Sequence, residues 1–91
     1  MEEEQKNIIG RKSIENYIIL TIIRENDVNI RLLAKKMDKM YLSVWKKVRN
    51  LDSYGFIIYP IRKNEHLEIT KKGINYVENF EKLLVGINGK E

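Results

Sequence analysis

Apolar residues recur with helical spacing in four segments of the chain and with strand spacing in two. The first helix is predicted to begin at Ser13, a good N-cap residue, and its apolar side chains surround it almost completely. A helix that is apolar on every side needs cover on every side, and one small core covers only part of it. The four predicted helices cover, to within a residue or two, residues 13–25, 30–37, 41–54 and 70–85.

Residues suited to helix ends and turns separate these segments. Asn29 and Thr70 are predicted N-caps of the second and last helices, and residues 38–40 connect the second helix to the third. Gly55 stands directly after the third helix, where a left-handed residue is common. Residues 56–61 are rich in β-branched and aromatic side chains, and residues 66–69 alternate polar and apolar, which predicts a β-hairpin with its turn at 63–65.

The first and last helices carry more apolar surface than one core requires. The last helix has an apolar stripe of roughly 200°, about twice the width needed to pack on one side. We therefore predict a homodimer in which these two helices form the interface. The predicted interface residues are Ile19, Leu20, Ile23, Tyr76, Val77, Phe80, Leu83, Leu84 and Ile87.

Composition adds a charge pattern and excludes several classes of site. The 91 residues form one predicted domain over 12–87 with flexible tails at 1–11 and 88–91, and the net charge is +4. Residues 31–50 hold seven Lys or Arg and one acid, so the rest of the chain sums to −2. A basic patch of this kind attracts polyanions. We find no cysteine, no metal-ligand spacing, no Gly-rich phosphate loop and no catalytic constellation, so we expect neither an enzyme nor a cofactor.

The order helix, helix, helix, hairpin, helix resembles the winged helix-turn-helix superfamily. The matching positions are Leu33-Ala34, Met37, Val44, Leu51 and Gly55-Phe56-Ile57, and residues 67–73 (LEITKKG) are similar to the LTxKG wing exit of MarR- and PadR-type regulators. The chain is most similar to small archaeal and archaeal-virus members. The resemblance implies a mostly helical α+β fold of three helices, a wing at 60–68 and a long dimerisation helix at about 70–86.

The chain departs from that family at two positions before the third helix. Met40 stands where the family usually has a Ser or Thr N-cap, so we expect Asp38 to cap the helix and to start it earlier. Asp38 also occupies a turn position where the family often has Gly, and Asp tolerates left-handed geometry less well.

The resemblance implies a homodimeric DNA-binding transcriptional regulator in the cytoplasm. The recognition helix, residues 41–54, would enter the major groove, the wing would contact the minor groove or the backbone, and the two half-sites would lie about one helical turn apart. Lys46 and Arg49 suit guanine edges or phosphates, and Asn50 suits adenine. The predicted DNA-binding residues are Arg31, Lys39, Tyr41, Leu42, Ser43, Trp45, Lys46, Arg49, Asn50, Arg62, Lys63 and Asn64.

Other roles for the same surface stay open. Trp45 fits either a contact with DNA or a lid folded over the hairpin. Tyr41, Leu42 and Trp45 would serve a winged helix that binds another protein, and Tyr41 and Trp45 would act as stacking platforms in an RNA or single-strand binder. No apolar run is long enough to cross a membrane, and nothing in the chain indicates a pocket for a small-molecule effector.

Overall fold

The computed structural model describes residues 11–59 and 65–88, with side chains at 12–59 and 65–86. Four helices and one antiparallel pair of strands make up this part of the chain, which confirms the predicted order of elements. Of the two predicted tails, only Arg11 and Asn88 are described, and both lie in helices. The elements are α1 (Arg11–Glu25), α2 (Ile30–Met37), α3 (Tyr41–Ser53), β1 (Ile57–Ile58), β2 (Glu68–Ile69) and α4 (Lys71–Asn88).

The core lies where α1, α2 and α3 meet the hairpin and α4. The inner side of α3 presents Val44, Val48 and Leu51, all fully buried, as the helical spacing predicts. Trp45, Tyr59 and Tyr76 are among the half-buried side chains that pack against this core. The buried apolar residues are Ile19, Leu20, Ile23, Val28, Ile30, Leu33, Ala34, Val44, Val48, Leu51, Ile57, Leu67, Val77 and Phe80.

The two sides of α1 have different environments. The helix is already formed at Arg11, so Ser13 lies inside it and the predicted N-cap is wrong. The Ser13 carbonyl instead accepts a hydrogen bond from the Tyr76 hydroxyl, at 3.1 Å. Ile14 and Ile18 lie on the outer side and remain 40% and 42% exposed. The helix is therefore apolar on both sides, and the side facing α4 is the covered one.

The predicted interface residues fall mainly on that covered side. Five of them, Ile19, Leu20, Ile23, Val77 and Phe80, lie inside the core of the single chain instead of on its surface. Since Phe80 stacks on the ring of Tyr17 at 4.7 Å, the last helix packs on the first within one chain. Tyr76, Leu83 and Leu84 keep partial exposure, and the side chain of Ile87 lies outside the described residues.

Hydrogen bonds of Asn29 and Asp38 define the two ends of α2. Asn29 caps α2 as predicted, because its side-chain oxygen accepts a hydrogen bond from the Leu32 amide at 2.9 Å. At the other end Asp38 is left-handed (φ 55°), and its amide and that of Lys39 donate to the carbonyls of Lys35 and Ala34. This is a Schellman ending. Asp38 therefore ends α2 and does not cap α3, so the expectation that it starts α3 early is wrong.

Gly55 ends α3 with the same pair of hydrogen bonds. Its φ is 82°, and the amides of Gly55 and Phe56 donate to the carbonyls of Asp52 and Leu51. The N-cap of α3 is Met40, which provides no side-chain acceptor. The turn between α2 and α3 thus has Asp38 in a left-handed position, at the place where Gly is frequent in the family that the sequence resembles.

Within the described residues, the two strands are shorter than the predicted 56–61 and 66–69, and they span only 57–58 and 68–69. Ile57 pairs with Ile69 and Ile58 with Glu68 in an antiparallel ladder. The Leu67 amide donates to the Val28 carbonyl at 2.8 Å, which ties the second strand to the loop between α1 and α2. Residues 60–64, which hold most of the predicted wing, lie outside the described residues.

Helix α4 begins against the end of α3. Thr70 caps it as predicted, because its hydroxyl oxygen accepts from the Gly73 amide at 3.1 Å and donates to the Gly55 carbonyl at 2.6 Å. A Cβ atom at Gly73 would lie 2.2 Å from the Phe56 carbonyl oxygen, so only glycine permits this close approach. The helix continues to Asn88, beyond the predicted end near Val85.

Candidate nucleic-acid interface

The outer face of α3 is polar, basic and solvent-exposed. Since Val44, Val48 and Leu51 define its buried side, the opposite side is centred on Leu42, Lys46 and Arg49. Ser43 and Asn50 flank this line and are exposed as well. These predicted contact residues therefore lie together on one surface, with the helix N-terminus at one end.

Most of the cations around this face have no acidic partner. In the part of the chain that the structure describes, no ion pair involves Lys39, Lys46 or Arg31, and the same is true of Lys35 and Lys36 on α2. All five side chains are exposed. The described acids that do form ion pairs, Glu15, Glu25 and Glu81, lie on α1 and α4. The charge asymmetry along the sequence thus becomes a basic surface on α2 and α3.

Lys47 differs from its neighbours. Its ammonium lies 2.7 Å from the Glu15 carboxylate, and both side chains are partly buried. This ion pair joins α3 to α1. Lys47 therefore differs from the other lysines of α2 and α3 in having an acidic partner within the described chain.

Trp45 and Arg49 form a stack with the residue that follows β1. The Arg49 guanidinium carbon lies 5.2 Å from the centre of the Trp45 ring and 5.7 Å from that of Tyr59. A guanidinium between two aromatic faces loses mobility while its outer edge stays available for hydrogen bonds. Trp45 is half-buried and packs against the core, and part of its side chain stays exposed.

Lys72 makes contacts within the fold that explain a lysine in an unusual position. A lysine in the first turn of α4 is unfavourable for the dipole of that helix. Its ammonium, however, donates to the Tyr54 carbonyl at 2.8 Å and lies 5.6 Å from the centre of the Phe56 ring. It therefore neutralises the negative end of α3. The contact joins residues 18 positions apart, so no local sequence pattern predicts it.

The N-terminal end of α3 combines apolar and polar exposure. Met40 and Leu42 are 77% and 57% exposed, and Tyr41 is also exposed. The Met40 side chain makes no capping hydrogen bond, so it does not satisfy any of the first-turn amides of α3. A shallow hollow beside this end is lined by Met40, Leu42, Ser43, Lys46, Lys47 and Asn50.

The predicted DNA-binding residues of the wing lie outside the described residues. The described part of the chain contains neither a metal site nor a membrane-spanning helix. Arg62, Lys63 and Asn64 of the wing lie among the residues that the structure does not describe. No group of three or more His, Cys, Asp or Glu within residues 11–59 and 65–88 could hold a metal ion. None of the helices in these ranges combines the length and the apolar character needed to cross a membrane.

Comparison with known proteins establishes the fold. No protein-family model matches the sequence, and no curated protein matches it. Among solved structures, the chain is similar to a mutant of S. aureus MepR bound to an oligodeoxyribonucleotide, with a TM-score of 0.74 and 16% identity. The match covers 97% of this chain and 67% of the MepR chain. The chain thus has a MarR-like winged helix-turn-helix fold, which confirms the resemblance seen in the sequence.

Proposed function

We propose that this chain is a double-stranded DNA-binding transcriptional regulator that inserts α3 into the major groove. The observation that carries the proposal is the row of exposed basic side chains on α2 and α3, which have no acidic partner in the described part of the chain. An exposed helix with this charge suits a polyanion with grooves of helical width. That the structurally similar MepR mutant is bound to an oligodeoxyribonucleotide supports the same ligand class.

The geometry suggests a role for each part of the surface. Lys46 and Asn50 lie on the exposed side of α3, within reach of base edges once that helix is in the groove. Arg49, stacked between two rings, presents a fixed donor edge to a guanine or a phosphate. The peripheral residues Arg31, Lys39, Tyr41 and Ser43 would bind the sugar-phosphate backbone. For the wing residues Arg62, Lys63 and Asn64, which lie outside the described residues, the resemblance seen in the sequence implies contact with the minor groove or the backbone.

The experiment is a titration of a fluorescent random-sequence duplex, followed by anisotropy. We expect the wild type to bind and Lys46→Ala to bind several-fold more weakly, because one phosphate or base contact is lost. Lys82→Ala is the matched control for the loss of one exposed lysine, since Lys82 lies on α4 and not on α2 or α3. Because Lys82 lines a hollow with Val85, sedimentation velocity checks that this variant keeps the oligomeric state of the wild type. Equal losses in the two variants would show that only net charge matters and would contradict the proposed orientation.

We further propose that two copies associate through the outer side of α1 and the C-terminal part of α4. Ile14 and Ile18 leave α1 with an apolar outer stripe, and Val85 is 66% exposed on α4. A second copy would cover these side chains and bring two α3 helices to half-sites about one helical turn apart. Sedimentation velocity tests this directly. Ile18→Glu should shift a dimer to a monomer, whereas a wild-type monomer at micromolar concentration contradicts the proposal.

The alternative roles for this surface have weaker support. In an RNA or single-strand binder Trp45 would be a stacking platform, but the Arg49 guanidinium already lies over its ring. In a protein-binding winged helix Leu42 and Tyr41 would be the apolar contact, and the unpaired lysines around them favour an anionic ligand instead. Competition of the labelled duplex by single-stranded DNA distinguishes the first alternative from the proposal.

A further inference from the structure

Two large apolar side chains project from the basic surface without a partner in the described chain. Met40 is 77% exposed, and no large apolar side chain among the described residues is more exposed. Leu42 is 57% exposed, although Val44 in the same turn of α3 is fully buried. Both side chains are therefore available to a ligand that presents apolar groups to this surface.

The position of Leu42 relative to the cations narrows the choice of ligand. At about 100° per residue, Leu42 and Lys46 lie about 40° apart on the side of α3 opposite its buried residues. One shallow hollow is lined by Met40, Leu42, Ser43, Lys46, Lys47 and Asn50. A ligand that fills this hollow must offer anionic groups to Lys46 and exposed carbon groups to Leu42 and Met40 within a few ångströms of each other.

The major groove of a thymine-containing duplex has this combination. Each thymine presents its C5 methyl group in that groove, close to the phosphates, and apolar side chains discriminate it by contact. Asn50, two turns along the same face, carries the amide that pairs with the N6 and N7 atoms of adenine. Apolar and amide groups on one face are therefore complementary to A·T pairs.

We propose that Leu42, assisted by Met40, contacts thymine C5 methyl groups and makes α3 selective for thymine at defined positions of its site. This rests on the proposed function, since it requires α3 to lie in the major groove. Leu42 is here a specificity-determining residue, and Lys46 contributes affinity for the same region of DNA without reading the methyl group.

The test replaces single thymines by uracil, which removes the methyl group and leaves base pairing intact. The probe is a duplex that the full chain selects from a random-sequence pool, with one thymine changed at a time and binding followed by anisotropy. We expect the wild type to lose about fourfold in affinity for each contacted methyl group. Leu42→Ala should bind thymine and uracil duplexes equally at those positions. Lys46→Ala, the matched control, should bind both more weakly and keep the fourfold difference.

Each outcome either supports or overturns the inference. Equal wild-type affinity for the thymine and uracil duplexes at every position overturns it and leaves the proposed function intact. A Leu42→Ala variant that keeps the full fourfold difference also overturns it, because another residue would then read the methyl group. Failure to bind any duplex overturns the proposed function and this inference together. Circular dichroism of Leu42→Ala provides the check on folding, and since Leu42 is exposed we expect an unchanged spectrum.

Discussion

Replacing Gly73 by alanine adds one methyl group at the point where α4 crosses the end of α3. That carbon would lie 2.2 Å from the Phe56 carbonyl oxygen and 2.7 Å from a side-chain carbon of Ile69. The oxygen belongs to the backbone and accepts the Thr70 amide at 3.0 Å, so it cannot move without weakening that bond. Alanine in a helix interior is normally favourable by about 0.5–1 kcal/mol over glycine. Overpacking costs about 1–3 kcal/mol, and a weakened hydrogen bond adds about 1 kcal/mol.

The net expectation for Gly73→Ala is a loss of about 2 kcal/mol in the free energy of unfolding. For a domain of this size that lowers the melting temperature by roughly 8–16 °C. Thermal melts by circular dichroism, at one protein concentration, provide the assay. Gly86→Ala is the matched control, because it lies in the same helix with nothing within 4 Å of the added carbon. It should raise the melting temperature by a few degrees, as for an unstrained helix position. A Gly73→Ala variant as stable as Gly86→Ala would refute the packing described at this crossing.

Substitutions at three further positions test the ends of the helices. Asp38→Val should cost roughly 1–2 kcal/mol in urea unfolding, since a β-branched residue is strained at φ 55°, whereas Asp38→Gly should cost nothing; equal stability of the two would contradict the left-handed turn. Asn29→Ala should lose about 1 kcal/mol and Asn29→Ser much less, because serine retains a cap oxygen, and a serine variant as unstable as alanine would argue against that hydrogen bond. Lys72→Met should lower the free energy of unfolding by about 0.5–1 kcal/mol at low salt and by less at high salt, because it removes the positive charge at the end of α3. A loss that does not change with salt would show that Lys72 acts through packing alone.

Features determined by a few neighbouring residues were predictable from the sequence. Asn29 and Thr70 were identified as caps because the cap bond joins residues three positions apart, and Gly55 because a left-handed helix ending has a characteristic residue. The inward side of α3 followed from the spacing of Val44, Val48 and Leu51. Local chemistry and helical period were sufficient for these features.

Features that depend on tertiary contacts were not predictable in the same way. Because α1 is apolar on both sides, its period does not indicate which side faces the core, and Ile19 and Leu20 were assigned to the interface rather than to the core. Asp38 is predicted to cap α3, whereas its backbone hydrogen bonds place it in the left-handed turn that ends α2. The contact of Lys72 with the end of α3 depends on how the hairpin returns the chain to that point.

The salt dependence of duplex binding tests most directly whether the basic face of α3 binds DNA. The affinity of the wild type and of Lys46→Ala for one selected duplex is measured by anisotropy over a series of salt concentrations. We predict that the logarithm of the wild-type association constant falls linearly and steeply with the logarithm of salt, and that loss of Lys46 makes the slope shallower by about one. A wild-type affinity that does not change with salt, or a slope that Lys46→Ala leaves unaltered, would contradict the proposed contact between this basic face and DNA.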